Sequence, residues 1–292
     1  MRFFKKKIGD NGAQATFYLQ EANSEIDVNR KYPVMVIVPG GAYLWTSWRE
    51  EEPIALEFLG KGFSCIVFEY ATEGLAFYEE PIDYTKSPAS AFPNPIVDLT
   101  KTLAYIRKNA DEWNIDSKSI NVMGFSAGGN LVAQLGVYWK EEWLEKLTNI
   151  TCKQYQPNSI CLAYAAVNIV SDLRKKDPER ITFATLGKDI SQQRANMVNV
   201  MDKSNKNVPP TFIWHTMEDP YVPADGALKF ALGLHQNGVP YEIHLYQKGK
   251  HGLGLADYRT DSKSNRSQSD NQASSWVELY LGWLEKNNLR KI

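Results

Sequence analysis

Three short segments carry side chains whose types and spacing suit acyl-transfer chemistry. The first runs Ile120-Asn121-Val122-Met123-Gly124-Phe125-Ser126-Ala127-Gly128-Gly129-Asn130, an apolar stretch that passes directly into helical spacing. Gly124-Phe125-Ser126-Ala127-Gly128 fits a sharp strand-to-helix turn that exposes a nucleophilic serine hydroxyl. Such a turn forces the serine into strained backbone angles, and its neighbours two places either side must be small to avoid collision. It also aims the amide of Ala127 at a forming oxyanion, with the helix N-terminus adding partial positive charge. The second segment is Trp214-His215-Thr216-Met217-Glu218-Asp219-Pro220-Tyr221-Val222-Pro223, where Asp219 falls just past an expected strand. Glu218 is the rival acid, and a helix-capping aspartate is the bland reading. The third is Gly249-Lys250-His251-Gly252-Leu253-Gly254, in which a histidine between glycines can swing an imidazole over a sheet edge. Of the four histidines, His235 lies on a helical stretch and His244 inside a strand, so both read as structural. His215 ends a strand near the site and is expected to pack or hydrogen-bond there. That leaves His251 as base, Ser126 as nucleophile and Asp219 as orienting acid.

A fourth segment, Val36-Ile37-Val38-Pro39-Gly40-Gly41-Ala42-Tyr43, ends another apolar strand in a tight glycine turn able to offer backbone donors to an oxyanion.

These loops need a scaffold, and the hydrophobic pattern supplies one. Short apolar runs at Val34–Val38, Phe63–Phe68, Ile120–Met123, Ile160–Ala166, Thr211–Trp214 and Tyr241–Tyr246 read as strands. Most are nearly continuous in hydrophobicity, as strands covered on both faces must be. Between them, Ile96, Leu99, Leu103 and Ile106 keep helical spacing behind Asn94-Pro95, an N-cap followed by proline. Leu131, Leu135 and Tyr138 mark a second helix. A third carries Leu228, Ala231 and Leu232, and the last carries Trp276, Tyr280, Trp283 and Leu284. Alternation of this kind implies a doubly wound, mostly parallel α/β sheet. The first thirty-odd residues, including Thr16–Leu19, add antiparallel edge strands. Two stretches break the alternation, Ala71–Pro93 and Ser171–Pro210, and are expected to form lid-like inserts. Asp261–Ser275 is a polar loop.

Composition closes off several function classes. The net charge is −1, from 33 basic and 34 acidic residues, which offers no footprint for nucleic acid or an anionic membrane. Lys5-Lys6-Lys7 reads as a solvated terminus. The three cysteines, Cys65, Cys152 and Cys161, lack metal-type spacing, and Cys65 and Cys161 sit in apolar runs as buried thiols. No stretch approaches the ~18 apolar residues of a membrane span. The opening Met1-Arg2-Phe3-Phe4-Lys5-Lys6-Lys7 places charge where a secretory leader carries its apolar core, so a cytoplasmic protein is expected.

From about Tyr32 onward the chain resembles the α/β-hydrolase superfamily. Pro39-Gly40-Gly41-Ala42, Gly124-Phe125-Ser126-Ala127-Gly128-Gly129 and Asp219-Pro220-Tyr221-Val222-Pro223 resemble bacterial esterases of the hormone-sensitive-lipase-like and acetyl-xylan-esterase-like groups. The order Ser126, Asp219, His251 is the one such hydrolases use. Their oxyanion loop reads His-Gly-Gly-Gly; here Pro39 replaces the histidine and Ala42 the third glycine. The resemblance implies oxyanion donors at Gly41 and Ala42, joined by Ala127. It also implies two-step acyl transfer with no cofactor or metal. The expectation is one α/β-hydrolase domain over residues 1–292, hydrolysing short-chain, above all acetyl, esters of carbohydrates, with room for a homodimer. An arylformamidase-like amidase and a non-catalytic ligand-binding hydrolase fold are the alternatives. Trp45, Trp48 and Tyr221 are expected to contact substrate. Phe77, Tyr78 and Tyr84 fall in the first insert, where flat faces suit a sugar ring.

Overall fold

The computed structural model describes residues 1–79, 82–172, 178–263 and 267–290. Its centre is an eight-stranded sheet of order β1-β2-β4-β3-β5-β6-β7-β8. An N-terminal hairpin, β1 (Arg2–Ile8) and β2 (Ala13–Leu19), joins antiparallel to β4 (Ser64–Glu69). From there on pairing is parallel, through β3 (Tyr32–Val38), β5 (Ile115–Phe125), β6 (Ser159–Ala163), β7 (Thr211–Thr216) and β8 (Tyr241–Tyr246).

The continuous hydrophobicity of the central strands has a direct cause. Alternate residues enter two separate cores, one on each face of the sheet. Val34, Val36, Val38, Val122, Ile160 and Leu162 pack on one face with α2 (Asn94–Lys108) and α3 (Ser126–Tyr138). Met35, Ile37, Met123, Phe125, Cys161 and Trp214 pack on the other with α1 (Glu52–Gly60) and the last helix, Trp276–Lys286. All four apolar marks of that last helix are buried.

The regions after α3 hold shorter helices: α4 (Glu142–Thr148), α5 (Cys152–Tyr155), α6 (Ile169–Asp172), α7 (Pro178–Leu186) and α8 (Gln192–Val198). α9 (Asp225–Gln236) connects β7 to β8, and Trp276–Lys286 is α10. The 71–93 stretch carries a 3-10 turn at Leu75–Tyr78, and α7 and α8 lie within 171–210. Residues 80–81 and 173–177 of these stretches, and 264–266 of the polar loop, lie outside the described residues. The two stretches bind each other: Phe92 N–H donates to Thr185 O (2.8 Å) and Ser90 Oγ to Ala184 O (2.8 Å).

The expected third helix forms as α9, which turns Ala227, Phe230, Ala231 and Leu234 inward and leaves Leu228 and Leu232 in solvent. Other expectations are corrected. β6 stops at Ala163, because Tyr164 takes a φ of 35° and leaves the sheet. Asn94 is already in the first turn of α2 and its amide donates back to Ala89 O, so it does not cap that helix. Lys5-Lys6-Lys7 is solvated but belongs to edge strand β1.

Candidate active site

Ser126 sits where β5 becomes α3, at a φ of 50° that L-residues seldom adopt. The glycines around it are needed for close approach. A Cβ on Gly124 would stand 2.3 Å from Gly128 O, and one on Gly128 would stand 2.2 Å from Val38 O and 2.3 Å from Pro39 O. Only bare backbone lets α3 press this tightly on the loop that leaves β3.

The turn carries Ser126 Oγ to 2.7 Å from His251 Nε2. His251 reaches it from the loop after β8, between Gly249 (φ 127°) and Gly252 (φ 77°). Its Nδ1 lies 2.6 Å from Asp219 Oδ2. An ionised carboxylate only accepts, so Nδ1 carries the proton and Nε2 is free to accept from the serine hydroxyl. The other oxygen, Asp219 Oδ1, accepts the backbone N–H groups of Tyr221 and Val222, each at 2.9 Å. Burial alone would raise the Asp219 carboxyl. The neighbouring His215 imidazole, the hydrogen bond from His251, the charge of His251 and the Val222 amide outweigh it and hold the group well below the usual carboxylate range. Glu218, the rival acid, faces solvent. The buried His215 donates Nε2–H to Val222 O at 2.9 Å and stands 3.5 Å from Asp219 Oδ2, so it stays near the site as expected. His235 is exposed on α9, and His244 pairs with Glu242 on β8.

Around the serine, the chain leaving β3 runs through three positive φ angles, at Gly41 (127°), Ala42 (56°) and Tyr43 (62°). Gly41 and Ala42 line the same cavity as Ser126 and His251. Ala127 is buried in the first turn of α3, whose leading amides have no partner within the helix.

That cavity holds about 440 Å³. Trp45 and Tyr221 line it, as does Tyr78 from the first insert, while Arg180 and Ile181 of α7 add a wall from the second. Tyr221 also meets the His251 ring edge-on, with centroids 5.9 Å apart. Trp48 does not line it. It occupies a 3-10 turn, Trp48–Glu50, in which Glu50 points inward, and the tryptophan is left 64% exposed. Phe77 packs on the core and Tyr84 on Phe183, so neither reaches the cavity wall.

Sequence reasoning missed Glu50. It is almost completely buried, accepts Gly40 N–H at 2.7 Å through Oε2, and accepts Tyr164 OH at 2.7 Å through Oε1. Its place in the acidic run Glu50-Glu51-Glu52 mimics a solvated surface. Among the described residues, no cluster of His, Cys, Asp or Glu could hold a metal ion, and no helix is long and apolar enough to cross a membrane.

Fold and site together define the class: an α/β hydrolase, of the kind to which carboxylesterases belong. Within it, the chain belongs to the BD-FAE family, whose model matches residues 23–234. Among solved structures it is similar, over 100% of both chains, to the carboxylesterase Cest-2923 from Lactobacillus plantarum WCFS1, with TM-score 0.84 and 26% identity. It is also similar to an acetyl ester-xyloside bifunctional hydrolase from Caldicellulosiruptor lactoaceticus, with TM-score 0.73 and 25% identity over 96% of this chain and 90% of that one. By sequence it is 28% identical over 227 residues to endo-1,4-beta-xylanase B of Butyrivibrio fibrisolvens, covering 78% of this chain and 33% of that protein. It is 23% identical over 258 residues to the acetylxylan esterase of Xylanibacter ruminicola, covering 87% of this chain and 47% of that protein. The chain thus spans a third to about half of the length of these two relatives.

Proposed function

We propose that the chain is a serine carboxylesterase that removes short acyl groups, above all acetyl, from carbohydrate esters, with all its machinery in one catalytic domain. The observation that carries this reading is the hydrogen-bonded chain Ser126–His251–Asp219 opening on the cavity. His251 Nε2 takes the hydroxyl proton as Ser126 Oγ attacks the ester carbonyl, and Asp219 holds the imidazole in the required tautomer. The amides of Gly41, Ala42 and Ala127 receive the charge that develops on the carbonyl oxygen. His251 then gives its proton to the departing alcohol. Water, activated by the same imidazole, releases the acid from the acyl-serine.

A short acyl group is supported by the walls. The cavity volume of about 440 Å³ lies low in the ~300–1,000 Å³ range of ligand pockets. Trp45, Tyr78 and Tyr221 offer aromatic surface for a sugar ring. Relatives named for acetylxylan and acetyl ester-xyloside hydrolysis point the same way. The three free thiols suit the reducing cytoplasm.

The test pairs Ser126→Ala with a panel of p-nitrophenyl esters of increasing chain length, acetylated xylo-oligosaccharides and N-formylkynurenine. Wild type should be fastest on acetyl esters and release acetate from the sugars. Ser126→Ala should stay folded and lose about 10⁴-fold or more in turnover, as nucleophile loss does in comparable triads. A preference for acyl chains of eight or more carbons, or no acetate from any sugar, overturns the substrate class. N-formylkynurenine turning over faster than every ester would make the chain an amidase.

A further inference from the structure

The Ser126–His251–Asp219 chain does not use the nearby buried carboxyl of Glu50, and the contacts of that carboxyl are directional. Gly40 N–H points at Oε2 (2.7 Å). Tyr164 Oη accepts Gly254 N–H at 2.9 Å, so its single proton turns the other way, to Glu50 Oε1 at 2.7 Å. Each oxygen of Glu50 therefore receives a donor, an arrangement that fits a carboxylate. The two donors lead to different parts of the site. Gly40 begins the proposed oxyanion loop, and Tyr164 is itself held by the N–H of Gly254, which closes the loop that carries His251. The adjacent Arg49 reinforces the second connection, donating from Nη1 to Gly252 O at 3.2 Å. Tyr164 also sets its ring edge-on to His251, with centroids 5.2 Å apart.

We infer that Glu50 is a positioning residue for the proposed ester hydrolysis: as a buried carboxylate it braces the oxyanion loop against the His251 loop and stabilises the imidazolium formed when Ser126 attacks. This inference rests on the serine-esterase reading. Brace and charge both act where catalysis is most sensitive to small displacements, at donors that strengthen only as the oxyanion forms. The groups that face Glu50 are Tyr164 from the end of β6, His251 from the loop after β8, Tyr70 from the end of β4, and Arg49 and Glu51 on its own segment. Burial holds the Glu50 carboxyl above its ordinary range, and Tyr164, Gly40, His251 and Arg49 offset only part of that rise; the ionised form is read from the two donors aimed at its oxygens.

Glu50→Gln keeps size and shape, removes the charge and forces one amide N–H toward Tyr164 Oη. On p-nitrophenyl acetate, kcat should fall about 10- to 100-fold with KM within about twofold, the pattern of an interaction made in the transition state. With a negative neighbour gone, the imidazolium is less favoured. The acidic limb of the pH–kcat/KM profile should therefore move down by about half a unit or more. A merely structural role would not move that limb. Tyr164→Phe should lower kcat about fivefold, and the double variant should be little worse than Glu50→Gln, because both act through one connection. It carries the test alone if Glu50→Gln does not fold. Wild-type kcat in a folded variant, an unmoved acidic limb in Glu50→Gln, or fully additive losses in the double variant would each overturn the inference. Ser126→Ala separates the two readings. If it remains active, the esterase mechanism fails; if it is inactive while Glu50→Gln is normal, the role of Glu50 alone fails.

Discussion

Asp219→Asn probes the site at one atom. Asp219 is only 1% exposed, so water does not rescue a mispaired amide. In wild type, Oδ1 takes two backbone donors and Oδ2 takes His251 Nδ1–H. An asparagine has one oxygen for these two demands. If its oxygen stays with the Tyr221 and Val222 amides, its NH2 faces His251 Nδ1, which must then accept. The ring proton moves to Nε2, points at Ser126 Oγ, and blocks the transfer. Flipping the amide restores the tautomer but sets NH2 against the backbone N–H groups of Tyr221 and Val222, at up to about 1–3 kcal/mol each. The productive state thus lies up to about 2–6 kcal/mol uphill, roughly 30- to 26,000-fold at 1.36 kcal/mol per decade. Loss of the charge beside the imidazolium adds to this, so kcat should fall by about 10³-fold or more, toward the ~10⁴ seen when another triad is altered this way. Steady-state hydrolysis of p-nitrophenyl acetate, with circular dichroism to verify folding, measures it. A folded Asp219→Asn within tenfold of wild type refutes the reasoning, as does an equal loss in Glu218→Gln. Stability carries the same signature. Asp219 titrates below its usual range when folded, so its charge contributes stability above about pH 4 that fades as pH falls further. The Tm gap between wild type and Asp219→Asn should narrow there.

Gly128→Ala places a methyl against the backbone carbonyls of Val38 and Pro39, so α3 and the loop after β3 must separate. Tm should fall by about 5 °C or more and kcat at least about tenfold, and an unchanged kcat would show that the loop does not need this contact. For Glu51, burial pushes the carboxyl up to about 7, with Glu69 and Glu50 adding to the rise and Thr46 and Lys5 opposing it. Between about pH 4.3, the ordinary glutamate value, and about pH 7 the folded chain binds a proton that the unfolded chain has released. Stability therefore falls as pH rises through that window. Glu51→Gln should raise Tm over wild type at pH 8 and leave it unchanged at pH 4, and an equal effect at both would contradict this origin.

The hydrogen-bonded cluster of Ser126, His251 and Asp219 was legible because each sits in a motif whose shape is imposed within a few residues. A serine flanked by glycines at a strand end has few bland uses, and a histidine between glycines has few others. The sheet was legible because parallel strands covered on both faces must be apolar throughout. What failed depended on packing between distant segments. In α9 Leu228, Ala231 and Leu232 mark the helix, yet only Ala231 of the three turns inward, beside Ala227, Phe230 and Leu234. Trp48 looked like a substrate contact because of its distance along the chain from Gly41. A single 3-10 turn sends it outward and its neighbour Glu50 inward. Glu50 itself gave no local signal, since its partners come from the ends of β3 and β6 and from the His251 loop.

The hairpin at the start of the chain has a consequence for how molecules of this protein meet. Among the described residues β1 is paired on one side only, and Lys5, Lys6 and Lys7 occupy three successive positions along it, all exposed. Successive side chains of a strand point to opposite faces, so ammonium groups flank both sides of this ribbon. An identical strand brought alongside would set like charges against one another, an effective guard against edge-to-edge association. At the opposite margin β8, with no lysine or arginine among its six residues, pairs among the described residues only with β7. The sheet is thus polarised in its tolerance for added strands: closed to growth at its lysine-bearing margin, and less guarded at the other.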